Sequence, residues 1–262
     1  MATKTKPFTL MSWNVNGVRA RLDHVLTYLA EKEPDVVCLQ ETKVEDKLFP
    51  RVPFMEMGYS VSIHGSKGYA GVATLSKSQP SEVVPGFRDG PADKACRILN
   101  TVVDGVRIYN LYVPNGTKLG SDAFTYKLEW FKRLRAELDA HSAADEPIIL
   151  IGDMNIAPEE RDVFSLDKMK GQIHFTDDEH AALGELLAFG LQDCFRKHNA
   201  APGQYTWYDY RGGAFRKKEG LRIDHVYATP PVYARCSQVI HDLEPRTWES
   251  TSDHLPVIAT FD

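Results

Sequence analysis

Apolar residues follow two rhythms along this chain. Runs that are apolar at nearly every position recur at residues 8–13, 35–39, 71–75, 106–113 and 147–151, while helical spacing links Val18, Leu22, Val25, Leu26 and Leu29, and again Phe124, Leu128, Phe131, Leu134 and Leu138. The unbroken runs predict strands covered on both faces. The spaced sets predict amphipathic helices, one stopped by Pro34 and one spanning residues 122 to about 140. Further strands are expected at residues 59–63, 97–103, 205–208, 222–228, 232–241 and 255–261, and a third helix at 179–188. Asp104-Gly105 lies between two of these strands and reads as a hairpin turn.

Strands near both ends, and no repeat or Pro/Ser/Gly linker between them, point to one domain over residues 8–262 behind a short tail, residues 1–7. Mixed strand order with few helices predicts helices covering packed sheets rather than a pure βαβ succession. The 43% hydrophobic and 26% charged composition excludes collagen-like and disordered chains, and a net charge of −5 excludes a strongly basic one. No apolar run approaches the roughly 18 residues needed to cross a bilayer, and the start lacks a signal-peptide core. A soluble, intracellular protein without membrane contact is the expectation, cytoplasmic if the source is bacterial and nuclear or organellar if it is eukaryotic. Cys38, Cys96, Cys194 and Cys236 form no C-x-x-C pair and sit beside apolar residues, as inert thiols would.

Polar residues gather where the apolar strands stop. Asn14-Val15-Asn16-Gly17, Gln40-Glu41-Thr42, Pro114-Asn115-Gly116 after Tyr112, Gly152-Asp153-Met154-Asn155 and Ser252-Asp253-His254 all border such runs. Loops at strand ends are where a rigid scaffold presents functional groups. Carboxylates, amide oxygens and imidazole without thiolate suit magnesium or manganese. Each Asp or Asn alone is an ordinary turn residue or helix cap, and spacing does not bring them to one site.

In order along the chain, Ser12-Trp13-Asn14-Val15-Asn16-Gly17, Leu39-Gln40-Glu41-Thr42-Lys43, Tyr112-Val113-Pro114-Asn115-Gly116, Gly152-Asp153-Met154-Asn155, Leu221-Arg222-Ile223-Asp224 and Ser252-Asp253-His254-Leu255-Pro256-Val257 resemble the exonuclease III-like abasic-site endonucleases. The resemblance covers about residues 8–261. Its GD-x-N and SDH-x-P-V pieces belong to the wider endonuclease/exonuclease/phosphatase superfamily, and the LQETK, YVPNG and LRID pieces to the DNA-repair branch. It implies a four-layer α/β sandwich of the DNase I-like type, two central mixed β-sheets flanked by helices, with a metal site at one edge. By motif position Glu41 would be the principal ligand of Mg2+, with Mn2+ able to substitute. Asn14 and Asp253 would lie beside it, with Asp153, Asn155 and His254 also within reach of the cation. Asp153 would orient or deprotonate the attacking water, Asn155 would bind phosphate, and His254, oriented by Asp224, would contact a non-bridging oxygen. Tyr112 and Asn115 would lie against the scissile phosphate. One or two metals, and the identity of the base, stay open.

The resemblance also places a pocket for the base-less sugar at Tyr205-Thr206-Trp207-Tyr208 with Leu221 and Ile223; packing of Trp207 and Tyr208 in the core is the other reading. Arg211, Arg216, Lys217, Lys218 and Arg222 concentrate in one stretch able to track a phosphate backbone or simply to face water, with residues 117–121 and Arg97 as further DNA contacts. Asn16 stands where some members carry Asp, and Trp248 precedes Ser252-Asp253-His254 where a basic residue and proline are common, either stacking on DNA or covering the core. The activity implied is hydrolysis of the phosphodiester 5′ to an abasic site in double-stranded DNA, leaving a 3′-hydroxyl, with 3′–5′ exonuclease or 3′-phosphodiesterase action on blocked ends, by a monomer. The alternatives are another superfamily phosphoesterase, a nonspecific nuclease or lipid or inositide phosphatase, and a DNA-binding relative without chemistry.

Overall fold

The structure is a computed structural model and describes residues 7–262, so of the expected tail only Pro7 falls among the described residues. In chain order its strands are β1 (Phe8–Asn14), β2 (Val36–Gln40), β3 (Ser60–His64), β4 (Val72–Ser76), β5 (Glu82–Pro85), β6 (Ile98–Val103), β7 (Val106–Tyr112), β8 (Ile148–Asp153), β9 (Gln192–Asp193), β10 (Asp224–Ala228), β11 (Cys236–His241) and β12 (Val257–Phe261). They form two six-stranded sheets, ordered β11-β12-β1-β2-β4-β3 and β5-β6-β7-β8-β10-β9. Each sheet has one parallel pair at its centre, β1 with β2 and β7 with β8, flanked by antiparallel partners. A parallel pair needs a crossover, and a helix supplies each: Leu22–Lys32 in the first sheet, Asp122–His141 in the second. The two sheets thus repeat one plan.

Period-two alternation explains the all-apolar runs. In β8, Ile149 and Ile151 enter the core between the sheets while Ile148 and Leu150 lie under Trp130, Phe131, Leu134 and Leu138 of the helix Asp122–His141. In β1 and β2, Leu10, Val36 and Cys38 face the other sheet, and Met11, Val37 and Leu39 lie under Val25, Tyr28 and Leu29 of the helix Leu22–Lys32. Both faces of both sheets are therefore covered, which gives the four-layer DNase I-like sandwich.

The inward faces change character along the strands. They read Leu10, Ser12, Asn14 in β1; Val36, Cys38, Gln40 in β2; Ile108, Asn110, Tyr112 in β7; and Ile149, Ile151, Asp153 in β8. Antiparallel β10 runs the other way and begins its inward face with Asp224, paired in register with Asp153. The sandwich is apolar at one pole and polar at the other. Near the polar pole Gln40 Nε2 donates to Asn110 Oδ1 across the sheets at 2.8 Å, and each buried amide there has a partner, as burial requires.

Two local expectations are corrected, and one strand is new. Residues 205–208 form no ladder; only Trp207 bridges, to Leu221 and to His254. The strand expected over residues 232–241 starts at Cys236, because Pro230 and Pro231 seed a short helix, Pro230–Tyr233, at fixed φ. The edge strand Glu82–Pro85 was not foreseen, since it is half exposed and lacks an apolar run. No helix among the described residues is long and apolar enough to cross a membrane.

Candidate active site

The polar pole is held by backbone that non-glycine residues rarely adopt. Asn16, Glu41, Lys43 and Asn155 have φ of 47°, 50°, 53° and 52°. Each such conformation costs on the order of 1 kcal/mol and persists only when its surroundings fix it. Here Val15 N and Gly17 N donate to the carbonyls of Gln40 and Glu41 at 3.0 and 2.7 Å, and Thr42 N donates to Gly71 O at 3.1 Å. Gly152 has φ 136°, and a Cβ there would strike the Leu111 carbonyl, so only glycine lets β7 and β8 close up beside Asp153.

Glu41, Asp153 and His254 come together: one ligand atom from each lies within 4.8 Å of the other two. Asn14, at the end of β1, bridges the two acids across the sheets, its Nδ2 donating to Glu41 Oε1 at 2.9 Å and to Asp153 Oδ2 at 3.0 Å. Lys43 Nζ pairs with Glu41 Oε2 at 2.8 Å. Burial pushes the Glu41 carboxyl up, but the Asn14 amide and Lys43 ammonium outweigh it and hold the group below its ordinary value. Asp153 goes the other way. Burial, aided by the negative charges of Asp224 and Glu41 and opposed by His254, raises it to about 7. His254 Nδ1 donates to Asp224 at 2.9 and 3.1 Å, and its Nε2 lies 3.8 Å from Asp153 Oδ2. Burial alone would lower that imidazole, yet Asp224 and Asp153 raise it to about 10, so it is cationic at neutral pH.

The asparagines form an adjoining cluster. Asn155 N donates to Asp153 Oδ1 at 2.9 Å, Asn155 Nδ2 to Val113 O at 2.9 Å, and Asn115 Nδ2 to Asn155 Oδ1 at 3.2 Å. His174, with φ 75°, sits against both and 6.5 Å ring to ring from Trp207. Burial and the Lys127 charge lower its imidazole to about 3, so it is neutral. Tyr112 closes the Glu41 side, its phenol driven well above the ordinary value by burial and by the charges of Glu41 and Asp153.

Not every expected residue joins this group. Asp253 is not one of the three; its oxygens accept from Asn16 Nδ2 at 3.1 Å and Trp207 Nε1 at 3.0 Å. Asn14 turns its Nδ2 to the acids while its Oδ1 accepts from Asn16 N at 3.0 Å. Arg97 is corrected: it is 3% exposed, its guanidinium packed between the Tyr112 ring at 4.6 Å and the Tyr69 ring at 5.1 Å, so it braces Tyr112 instead of offering a surface charge. Arg222 is corrected too. It is fully buried against Asp162 and Asp193, leaving Arg211, Arg216, Lys217 and Lys218 exposed. Leu221 and Ile223 form an apolar cluster with Val163 and Phe175, and Trp207 packs against it, whereas Tyr205 and Tyr208 turn to Leu255. Trp248 lies against His24 and Tyr28 over the core.

Sequence reasoning missed Lys43, His174 and Lys127. Lys43 stood inside the LQETK motif without a role; His174 and Lys127 carried no motif signal. Tyr69 was also unmarked, although its glycine-flanked loop, with Gly68 and Gly71, hinted at an unusual backbone.

A half-buried and a buried carboxylate side by side, an imidazolium oriented by a third acid and a set of amide donors at one pole of a four-layer sandwich define a phosphoester-hydrolase type of site. The Glu41 and Asp153 carboxylates fit a hard divalent cation, with the His254 imidazolium beside them. The chain belongs to the Endonuclease/Exonuclease/phosphatase family, which matches residues 11–254. It is 36% identical to exodeoxyribonuclease III of Haemophilus influenzae, over 96% of this chain and 98% of that one. Among solved structures it is similar to an AP endonuclease from Archaeoglobus fulgidus, with TM-score 0.93, 39% identity and 97% and 99% of the two chains covered. It is also similar to the Neisseria 3′ phosphatase NExo bound to product DNA hairpin, with TM-score 0.94, 38% identity and the same coverage.

Proposed function

We propose that this protein is a DNA-repair nuclease. It hydrolyses the phosphodiester 5′ to an abasic site in double-stranded DNA to leave a 3′-hydroxyl, with 3′–5′ exonuclease or 3′-phosphodiesterase action on blocked ends. Its cofactor is Mg2+, with Mn2+ as substitute, and residues 8–262 act as one catalytic domain of a cytoplasmic monomer. The observation that carries this reading is the pairing of Asp153 and His254 beside Glu41, with Trp207, Leu221 and Ile223 on the same side of the sandwich. The relatives' names, an exodeoxyribonuclease III, an AP endonuclease and a 3′ phosphatase, supply the substrate class.

Glu41 would hold the cation, with Asp153 next to it and Asn14 bridging the two carboxylates. When bound, a divalent ion neutralises phosphate oxygen charge and favours ionised carboxylates and water. Asp153, once ionised, accepts a proton from the attacking water. His254, kept cationic by Asp224, donates through Nε2 to a non-bridging oxygen, and Asn155 and Tyr112 add donors where charge develops, with Asn115 orienting Asn155. The apolar Trp207–Leu221–Ile223 wall admits an extruded deoxyribose and excludes a nucleotide that keeps its base. Arg216 and Lys217, both exposed, supply salt-sensitive backbone contacts.

The test is cleavage of an end-labelled duplex with one stable abasic analogue, beside an undamaged duplex, in magnesium and in chelator. A single metal-dependent cut 5′ to the analogue with a 3′-hydroxyl is expected. Equal cutting of both duplexes would indicate a nonspecific nuclease, and binding without cutting a relative that has lost its chemistry.

A further inference from the structure

We infer that the buried Lys127–Glu179 pair is a positioning clamp that sets the side-chain directions of Asn115, Asn155 and His174; this rests on the reading of Asn155 as phosphate-facing. Lys127 lies on the crossover helix Asp122–His141 and Glu179 on the helix Asp177–Leu187, and both side chains are fully buried. The ammonium has three hydrogens and spends them on Glu179, on Asn155 O at 2.6 Å and on Asn115 O at 3.2 Å. Glu179 in turn accepts from His174 N at 3.1 Å and, through its other oxygen, from Thr176 N at 3.1 Å and Thr176 Oγ1 at 2.9 Å. One ion pair therefore ties together the loops after β7 and β8 and the segment that carries His174.

The hydrogen bonds fix protons as well as positions. Asn155 O accepts from His174 Nδ1 at 2.7 Å, and a carbonyl only accepts, so Nδ1 carries the proton. The neutral ring then offers a bare Nε2, which receives Asn115 Nδ2 at 3.4 Å. The same amide group donates to Asn155 Oδ1 at 3.2 Å, and Asn115 Oδ1 accepts from Thr117 N at 3.1 Å. Each amide has one orientation that satisfies every partner. Apolar side chains of similar volume can replace a buried ion pair with no loss of stability. They cannot supply the two N–H donors to the Asn115 and Asn155 carbonyls, and that separates positioning from packing.

The experiment compares the full-length protein with Lys127→Met and with the double variant Lys127→Met/Glu179→Leu. It reads melting temperature, affinity for abasic duplex in chelator, single-turnover cleavage in magnesium, and the 15N imidazole spectrum of His174 without DNA. The double variant is expected to melt below wild type, because buried N–H and C=O groups lose partners, yet to fold and to bind DNA as wild type does. It should cut about 100-fold more slowly, the scale of a displacement of about 1 Å in a reacting geometry, and its His174 should lose the single Nδ1-protonated form. A double variant with wild-type rate and an unchanged His174 spectrum overturns the clamp. Should neither variant fold, the wild-type spectrum still decides, because a ring protonated at Nε2 contradicts the network. A wild-type protein that leaves abasic DNA uncut would remove the functional reading, while the His174 spectra would still judge the clamp.

Discussion

Glu41 and Asp153 occupy matching places in the two halves of the sandwich, at the ends of the second strand of each parallel pair, yet their surroundings drive them apart. Glu41 is half-buried, in a left-handed turn, with an amide donor and a lysine on its oxygens, and its acidity is strengthened. Asp153 is buried, faces Asp224 and Glu41, and is raised to about 7 despite the nearby imidazolium. Repeated topology brings two acids to one pole, and local charge then makes one a permanent anion and the other a group that changes protonation near neutrality. Titratable pairs pushed apart in this way mark a division of acid, base and binding roles.

The widest separation between the two is expected in turnover. Asp153→Asn should lower single-turnover cleavage by about 10³-fold, within the range of a lost general base, with DNA affinity in chelator unchanged. Cleavage near the wild-type rate would move the base elsewhere. Glu41→Gln should instead raise the magnesium concentration for half-maximal rate by about 100-fold, at the upper end of effects on metal affinity, with much of the rate recovered at saturating metal. An unchanged magnesium titration would take Glu41 out of the ligand role.

That contrast was only half visible in the chain. The all-apolar runs of β2, β7 and β8 and the helical spacing around Phe131 announced a doubly covered sandwich, because burial of both strand faces leaves that mark on sequence. Period-two reading also places Asn14, Tyr112 and Asp153 on inward faces. Buried charges were not legible. Arg97 and Arg222 read as cations able to reach DNA, and Lys127 carried no signal, since what buries each is a partner distant in the chain: Tyr69, Asp162 and Glu179. The segment at residues 205–208 looked like a strand because aromatic residues favour strands, whereas its tyrosines and Trp207 serve different clusters.

Acid–base behaviour should sharpen the comparison by a smaller amount. Asp153 is raised to about 7, so its ionised form grows as pH rises toward neutrality, and cleavage at limiting magnesium should climb through that range. More magnesium should move the limb to lower pH, because a cation favours the ionised carboxylate; a limb indifferent to magnesium would exclude Asp153 as its source. Linkage adds a second readout. Asp153 and His254 both bind protons more tightly folded than unfolded. Their stabilisation is complete below the ordinary values of 3.8 and 6.5 and is lost as pH rises through about 7 and about 10. The metal-free protein should therefore melt at progressively lower temperature from pH 6 to about pH 10, and a flat profile would contradict the raised values.

The smallest effect concerns Lys43, the charge that distinguishes the surroundings of Glu41 from those of Asp153. Its ammonium sits 2.8 Å from Glu41 Oε2 and also donates to Asn16 Oδ1. A cation on Glu41 meets that positive charge, so Lys43 strengthens the acid while opposing the ion that the acid would hold. Lys43→Met should lower the magnesium midpoint by about threefold, the scale of a partly exposed ion pair, and leave the saturating rate close to wild type. A raised midpoint would mean that Lys43 mainly keeps Glu41 in its left-handed turn, and the two acids would then differ through backbone geometry more than through charge.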